Sequence, residues 1–252
     1  MIIAGNQSYY FPFLGYFQLI NAVDRFTLYD NLDFSENRWV HHNRIKLRNG
    51  NIFTLSVPLI NRTSSTLISD LTIFDAEGNR NWRRKTCKTI YDNYLRAPMF
   101  RRVFPLLEAL INYPVQSVSA LNTNSLVEIC RYLNIDTTIQ SGPDIYADIE
   151  LRLSDSKYME SEYPDIAKKD ARIIEICRHE GADTLYNSMG GVGLYKKEIF
   201  LNYGIRVRFL KRKEITYRQP GDGFIPDLSI IDVLMYNDVP TISGMLEDYD
   251  LI

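Results

Sequence analysis

The sequence predicts an α/β fold: a mixed sheet with flanking helices, a β-loop-α-β opening and a helical middle segment. Three observations carry this reading. Short apolar runs bounded by polar residues open the chain, as buried strands do. From residue 81 the apolar spacing changes to about four. After residue 165 helical and strand patterns alternate, as in a sheet covered by helices. The chain has 252 residues, and at roughly 150 residues per domain this is one large domain or two small ones. We expect a single domain over 1–252, β-rich over 1–78 and helical over 79–135, with an acidic loop over 142–165 and an α/β part over 166–252.

Each element has its own signal. Ile2 to Ala4 begins a short buried strand. The apolar and aromatic run from Tyr9 to Phe17 follows, with a short helix after Pro12, and Phe26 to Tyr29 is the second strand. Between Trp39 and Pro58 two strands flank Asn49-Gly50, a dipeptide suited to a tight hairpin turn. Leu67 to Phe74 reads as another strand. The middle segment starts with Trp82, Thr86, Ile90, Tyr94 and Ala97 at helical spacing, with Asn81 as N-cap and Pro98 as the stop. Helices follow around Val103 to Ile111 and Ser125 to Leu133, the latter opened by the capping-box pair Ser125 and Glu128. A short strand is expected near Thr137 to Gln140.

Between Asp144 and Asp165 seven acidic residues stand against two basic ones, a local net of −5, which reads as a solvated insertion or lid-like loop. The last third holds a helix over 165–180 ending at Gly181, a strand over 183–186, a glycine loop and a helix over 194–203. Strands near 205–210 and 214–217 and a final helix from Asp227 or Leu228 complete the chain.

Composition narrows the function. With 29 basic and 31 acidic side chains the net charge is −2, so the excess of cations a dedicated nucleic-acid or anionic-membrane binder needs is absent. Hydrophobic residues make up 45% and charged ones 24%, which excludes disorder and a collagen or coiled-coil repeat. No window approaches the roughly 20 apolar residues of a membrane span. Met1 to Asn6 lacks the basic start and apolar run of a signal peptide, so a cytoplasmic protein is expected. Cys87, Cys130 and Cys177 fit neither a disulfide framework nor a zinc site, and no metal is expected. Cys130 and Cys177 sit on apolar helix faces as core residues; Cys87, off the main face, is the one candidate reactive thiol.

Four constellations could carry chemistry. The stretch Asn6 to Phe17 follows the first strand, where ligands of open α/β sheets sit, and offers the amides of Asn6 and Gln7 and several tyrosines; an aromatic core cluster explains it equally. In Trp39 to Lys46, His41 and His42 should point to opposite faces of a strand, with His42, Arg44 and Lys46 on one face. That face is either a surface cation stripe or the place of a general base, a role neutral imidazole suits. Asp30 and Asp33 are near enough in sequence to orient it. Ser188 to Tyr195 puts Gly190, Gly191 and Gly193 between a strand and a helix, either a phosphate cradle or a tight turn. Arg206, Arg208, Lys211, Arg212 and Lys213 form a basic run, read as protection of a sheet edge ahead of phosphate binding.

Together these stretches resemble the WbqC-like family. Its opening His-Gln-Pro-x-Tyr-Phe-Pro-Trp-Leu-Gly-Tyr-Phe is matched by Asn6 to Phe17, its Asp-x-Phe by Asp24 to Phe26, and its Trp-x-Asn-Arg-Asn-x-Ile by Trp39 to Ile45. A Trp…Tyr-x-x-Ala-Pro-x-Phe block is matched by Trp82, Tyr94, Ala97, Pro98 and Phe100, and a C-terminal block by Tyr217, Gln219, Phe224, Pro226 and Leu228 to Asp232. Asn6 and Ser8 stand where the family has His and Pro, His41-His42 where it has Asn-Arg, and Thr86 where many members have His.

The resemblance implies a role in O-antigen or other surface-polysaccharide biosynthesis: transfer of a glycyl-like aminoacyl or an acyl group to the amine of a nucleotide-linked amino sugar. On that expectation His42, or else His41, is the base. Asn6, Gln7 and Asn43 orient sugar or oxyanion, Tyr10 stacks, and Gln219 and Asp232 are further polar candidates. Ser188, Gly190, Gly191 and Gly193 hold phosphate with Arg44. No tightly bound cofactor is expected; the donor could be a coenzyme A thioester, an acyl carrier or an aminoacyl-tRNA. Specific nucleic-acid binding is not expected. The rival reading is a non-catalytic sugar-nucleotide-binding protein that serves a partner enzyme.

Overall fold

A computed structural model describes residues 1–36, 39–60, 62–63, 65–75, 81–142 and 144–252. The chain opens with β1 (Ile2–Asn6), α1 (Leu14–Asn21) and β2 (Arg25–Leu28), then β3 (His42–Lys46), β4 (Ile52–Ser56), β5 (Leu59–Ile60) and β6 (Thr72–Ile73). The middle segment is α2 (Asn81–Tyr94), α3 (Phe100–Ile111), α4 (Val118–Tyr132) and β7 (Thr138–Gln140). Next come α5 (Ala147–Ser154), α6 (Ser156–Glu162), α7 (Lys168–Glu180), β8 (Thr184–Ser188), α8 (Lys197–Leu201) and β9 (Arg206–Arg212). The chain closes with α9 (Ile230–Tyr236), α10 (Val239–Glu247) and β10 (Tyr249–Leu251).

Six strands form one mixed sheet in the order β10-β9-β8-β1-β2-β7, parallel except for β10. Alternation along the strands divides the side chains between two apolar layers. Ala4, Phe26, Leu28 and Leu210 join the large cluster with α1, α9 and α10 and the middle helices. Ile3, Leu185, Val207 and Phe209 face a second cluster built with α5, α7 and α8. From β1 the chain builds outward to β2 and β7, then returns to the other side of β1 for β8 and β9. The switch therefore falls between β1 and β8.

Those two strands barely pair. Only Ile2–Thr184 and Ile3–Leu185 are in register, whereas β1–β2 has four pairs and β8–β9 five. Past Leu185 the strands diverge, and the amide side chains next to the seam bond locally: Asn6 Oδ1 accepts from Gln7 N and Asn187 Oδ1 from Ser188 N. Gly5 is required here, because a Cβ would lie 2.2 Å from the Tyr29 ring. Gly5→Ala should cost about 2 kcal/mol or more through overpacking, measured as a lowered urea midpoint; an unchanged midpoint would show that the ring yields freely.

Several expectations change. The acidic stretch is not a loop: α5 and α6 lie in it. Asp148 pairs with Arg152 one turn on, Glu150 pairs with Arg172, and Arg152 also reaches Glu175. Asp155 caps α6 at Lys157 N, while Ile149 and Leu153, four apart, are buried. Within Leu67 to Phe74 only Thr72–Ile73 is strand, after a 3-10 turn at Ile68–Asp70. α4 starts earlier than expected, capped by Ser117 at Ala120 N, and Ser125 is buried mid-helix with its hydroxyl donating to Leu121 O. No strand forms over 214–217. β10 covers only the end of the basic run, pairing with Leu210 to Arg212, while Arg206 and Arg208 precede the paired residues; Arg206, Arg212 and Lys213 each have carboxylate partners. The final helix is two helices, α9 capped by Ser229 and α10 by Asp238. The capping expected of Asn81 lies outside the described residues. Gly181 ends α7 at φ +66 as its pattern suggested.

All three cysteines are buried and unpaired. Burial lifts the Cys130 and Cys177 thiols to about 12. It raises Cys87 too, with Glu108 adding to the effect, so Cys87 lacks the thiolate character of a nucleophile.

Candidate functional site

The loop after β1 is held under strain. Phe11 has φ +42, a conformation costly for a side chain of this size. Three hydrogen bonds from two side chains fix it: Asn43 Nδ2 donates to Tyr10 O and Phe11 O at 3.1 and 2.8 Å, and the Ser229 hydroxyl donates to Phe11 O at 2.8 Å. Asn43 Oδ1 also accepts from Arg44 N. This brace turns Tyr9, Pro12 and Phe13 toward the carboxyl end of the sheet.

There three depressions of about 410, 290 and 190 Å³ adjoin. The first two share Arg212, the second and third Phe13, and the first and third Asp227. At their junction the Arg212 guanidinium pairs with Asp227 and stacks 4.9 Å from the Phe13 ring centroid. Asp227 is itself left-handed at φ +58. The groove thus lies at the carboxyl ends of parallel strands, beside the switch between β1 and β8, the general position of ligands in such sheets.

The three lobes differ in character. The smallest is aromatic and cationic, with Tyr9, Trp39, Asn43 and Arg44; the Arg44 guanidinium lies 5.2 Å from the Trp39 ring, and its buried Nε has no partner. The middle lobe joins Ser188 and Gly190 to Gly15, Lys211 and Arg212. The adjoining α1 has no side-chain cap and no acidic residue in its first turn, which favours an anion there. The largest lobe includes Gln18, Glu214, Thr216, Tyr217 and Phe224.

Of the predicted site residues, Asn43, Arg44, Ser188 and Gly190 line this groove. Gly191 instead makes room for Asn187, whose side chain a Cβ would meet at 2.8 Å, and Gly193 faces open space. Asn6 caps its own loop. Gln7 O accepts from the Tyr16 hydroxyl, and Gln7 Oε1 is buried without a partner. Tyr10 cannot stack on a ligand: it is fully buried beneath the loop, and burial lifts its hydroxyl far above the usual tyrosine range. Tyr9, its neighbour, holds the groove position.

The histidines also depart from expectation. Regular alternation begins only at His42, so the two rings touch, 4.6 Å apart and at 78°, rather than facing opposite ways. His42 packs against Trp39 at 5.1 Å. Its pKa is lowered by burial, against a smaller upward pull from Glu36, which leaves it neutral at pH 7. Burial, with His42 and Arg62 adding repulsion, takes His41 down to about 4. Asp30 does not orient either ring; it accepts from Ser8 N and from the Ser8 and Ser119 hydroxyls. Lys46 is no surface cation. It is fully buried, donating to the carbonyls of Asp222 and Gly223 at 2.8 and 2.6 Å.

Gln219 and Asp232 lie behind the groove wall. Asp232 accepts from the Tyr94 and Tyr217 hydroxyls at 2.6 and 3.0 Å, and Gln219 Nε2 donates to Tyr217 at 3.2 Å. Burial raises the Asp232 carboxyl to about 6 despite these donors and nearby Lys46. Their effect on the groove runs through Tyr217. Asp227 and Gln18 were not among the predicted site residues, and Arg212 was read with its basic run as edge protection ahead of phosphate binding; only the folded chain brings positions some 200 residues apart together. Among the described residues, no group of three or more His, Cys, Asp or Glu is placed to hold a metal ion.

Fold and groove define an α/β protein with a mostly parallel sheet and a polar, cation-containing site at its topological switch. The chain belongs to the WbqC-like protein family, whose profile matches residues 7–243. It is similar to "Uncharacterized protein Rv1507c" of Mycobacterium tuberculosis (strain ATCC 25618 / H37Rv), 26% identical over 235 residues, covering 92% of each chain. No solved structure matches it. Among the described residues no helix is long and apolar enough to cross a membrane.

Proposed function

We propose that the protein is a cytoplasmic transferase of surface-polysaccharide biosynthesis that places an aminoacyl or acyl group on the amine of a nucleotide-linked amino sugar. The observation that supports this most is the groove whose three unlike lobes meet at Arg212 and Asp227. Lys211, Arg212, Ser188 and Gly190 suit a pyrophosphate, which accepts charge-assisted hydrogen bonds from a guanidinium and an ammonium. Tyr9, Trp39 and Arg44 offer faces for a base or sugar ring.

In the reaction the amine nitrogen attacks the carbonyl carbon of the donor. A C–N bond forms and the C–S bond of a thioester, or the C–O bond of an aminoacyl ester, breaks. The amine proton passes to neutral His42 and then to the departing thiolate or alkoxide. The donor is a coenzyme A thioester, an acyl carrier or an aminoacyl-tRNA, and no tightly held cofactor takes part.

A second reading, a non-catalytic sugar-nucleotide carrier acting with a partner enzyme, is favoured by one observation. His42 touches Trp39 but is not itself on the groove wall. Thermal unfolding with UDP-glucosamine, UDP-glucose, UDP and coenzyme A tests both readings. A ligand at 100 times its dissociation constant should add roughly 2.7 kcal/mol; no shift with any UDP compound rejects both. Where UDP-glucosamine binds and turns over with a donor, His42→Ala should abolish turnover and leave affinity within about threefold. Unchanged turnover removes His42 from the mechanism.

A further inference from the structure

The largest lobe contains polar groups of two kinds, committed and free. Arg212 is paired with Asp227, and Lys213 with Asp248 at 3.1 Å. The Tyr217 hydroxyl donates to Asp232 and accepts from Gln219. Gln18 is different. It is fully buried, and its Nε2 donates to Met245 O at 2.8 Å and Asp248 O at 3.2 Å, at the end of α10. Two carbonyls around one amide nitrogen fix which end is which, because the reverse orientation would set three oxygens together. Gln18 Oε1 is therefore an acceptor, and it has no partner within the protein. Such a group costs stability unless something donates to it.

On the same wall Glu214 is exposed and enters no ion pair or hydrogen bond among the described residues. Each cation of this lobe is matched by a carboxylate, Arg212 by Asp227 and Lys213 by Asp248, while Gln18 Oε1 and the Glu214 carboxylate are unmatched. Thr216 adds a hydroxyl able to donate or accept. A phosphate or carboxylate here would meet the unmatched Glu214 charge, whereas an ammonium group supplies three N–H donors and the complementary charge.

We infer that this lobe is a recognition site for a protonated primary amine, held by Gln18 Oε1 and the Glu214 carboxylate. The attachment of that amine to a nucleotide-linked sugar rests on the function proposed above; the ammonium preference rests on this lobe alone. The arrangement divides the groove by charge, with anion recognition around Lys211 and Arg212 and cation recognition around Gln18 and Glu214. The Arg212–Asp227 pair stands at the boundary. A bound amine must lose its proton before it can act as a nucleophile, so the lobe sets which sugar enters and is separate from the base that accepts the proton.

The test uses two matched pairs on the full chain by calorimetry: glucosamine against glucose, and UDP-glucosamine against UDP-glucose. One charge-assisted hydrogen bond more in the amine complex should make it about tenfold tighter in each pair. Glu214→Gln, a substitution at an exposed position, should reduce that ratio to about threefold or less. Gln18→Leu should do the same if it folds, and the Glu214 variant decides the matter if it does not. A ratio near one in the unmodified protein for both pairs, or a ratio that Glu214→Gln leaves intact, overturns the inference. Preference for glucosamine without binding of UDP compounds would reject the sugar-nucleotide reading and leave the amine lobe standing. Equal binding of both UDP-sugars would do the reverse.

Discussion

Arg212→Met should weaken UDP-sugar binding by about 10- to 100-fold. A hydrogen bond to a charged group contributes roughly 1.5–3 kcal/mol, and every 1.4 kcal/mol is a factor of ten. The residue lines two of the three lobes, donates to Asp227, which lines the third, and covers Phe13. Methionine keeps a long apolar side chain over that ring and removes the charge. Both ionic partners are more than a third exposed, so the unfolding free energy should change by less than about 1 kcal/mol. Binding at several salt concentrations checks the assignment: the variant should lose part of the salt dependence as well as affinity. Equal affinity in variant and parent would place the phosphate elsewhere.

The second large effect concerns pH. His41 has its pKa lowered from 6.5 to about 4, so the unfolded chain binds the proton first as pH falls. Its contribution is a loss of stability between about pH 6.5 and 4. Asp232 has its pKa raised from 3.8 to about 6, so here the folded chain takes the proton first. Its contribution is a gain between about pH 6 and 3.8. After allowance for solvent screening each contributes on the order of 2 kcal/mol, and over most of the window the two cancel. Asp232→Asn should therefore steepen the loss of stability on acidification, and His41→Phe should flatten or reverse it. Urea midpoints at pH 7, 6, 5 and 4.5 separate the cases. Parallel profiles for parent and both variants would show that neither group titrates as assigned.

What could be read from the sequence follows from how local each signal is. The Asn49-Gly50 hairpin, the Gly181 helix end and the β-loop-α-β opening are encoded within a few residues, and all are present. The charged helices α5 and α6 escaped because acidic density hid the buried pair Ile149 and Leu153, and because their partners, Arg172 and Glu175, come from a later helix. Lys46 and Tyr10 looked like exposed functional groups since nothing nearby in sequence announces the turn at 221–223 that covers the lysine, or the brace over the tyrosine. The groove was half legible. Asn43, Arg44, Ser188, Gly190 and Arg212 belong to stretches whose composition drew notice, whereas Asp227 and Gln18 owe their places to long-range packing. Asn43 was read as a ligand group, and its side chain is spent on holding Phe11 in place.

The near-absence of pairing between β1 and β8 has a mechanical consequence. The sheet behaves as two leaves, each stiffened by its own ladder, fastened at one end by two residue pairs. Because Asn6 and Asn187 already satisfy the amides next to the opening, spreading the leaves breaks no inter-strand hydrogen bond beyond Ile3 and Leu185. Small changes in angle at the fastened end become larger displacements at the free end, where β1 leads into Phe13 and β9 ends in Arg212. Beyond Leu185 the two ladders are thus joined by the apolar layers alone and not by strand pairing, and that line runs to the candidate groove.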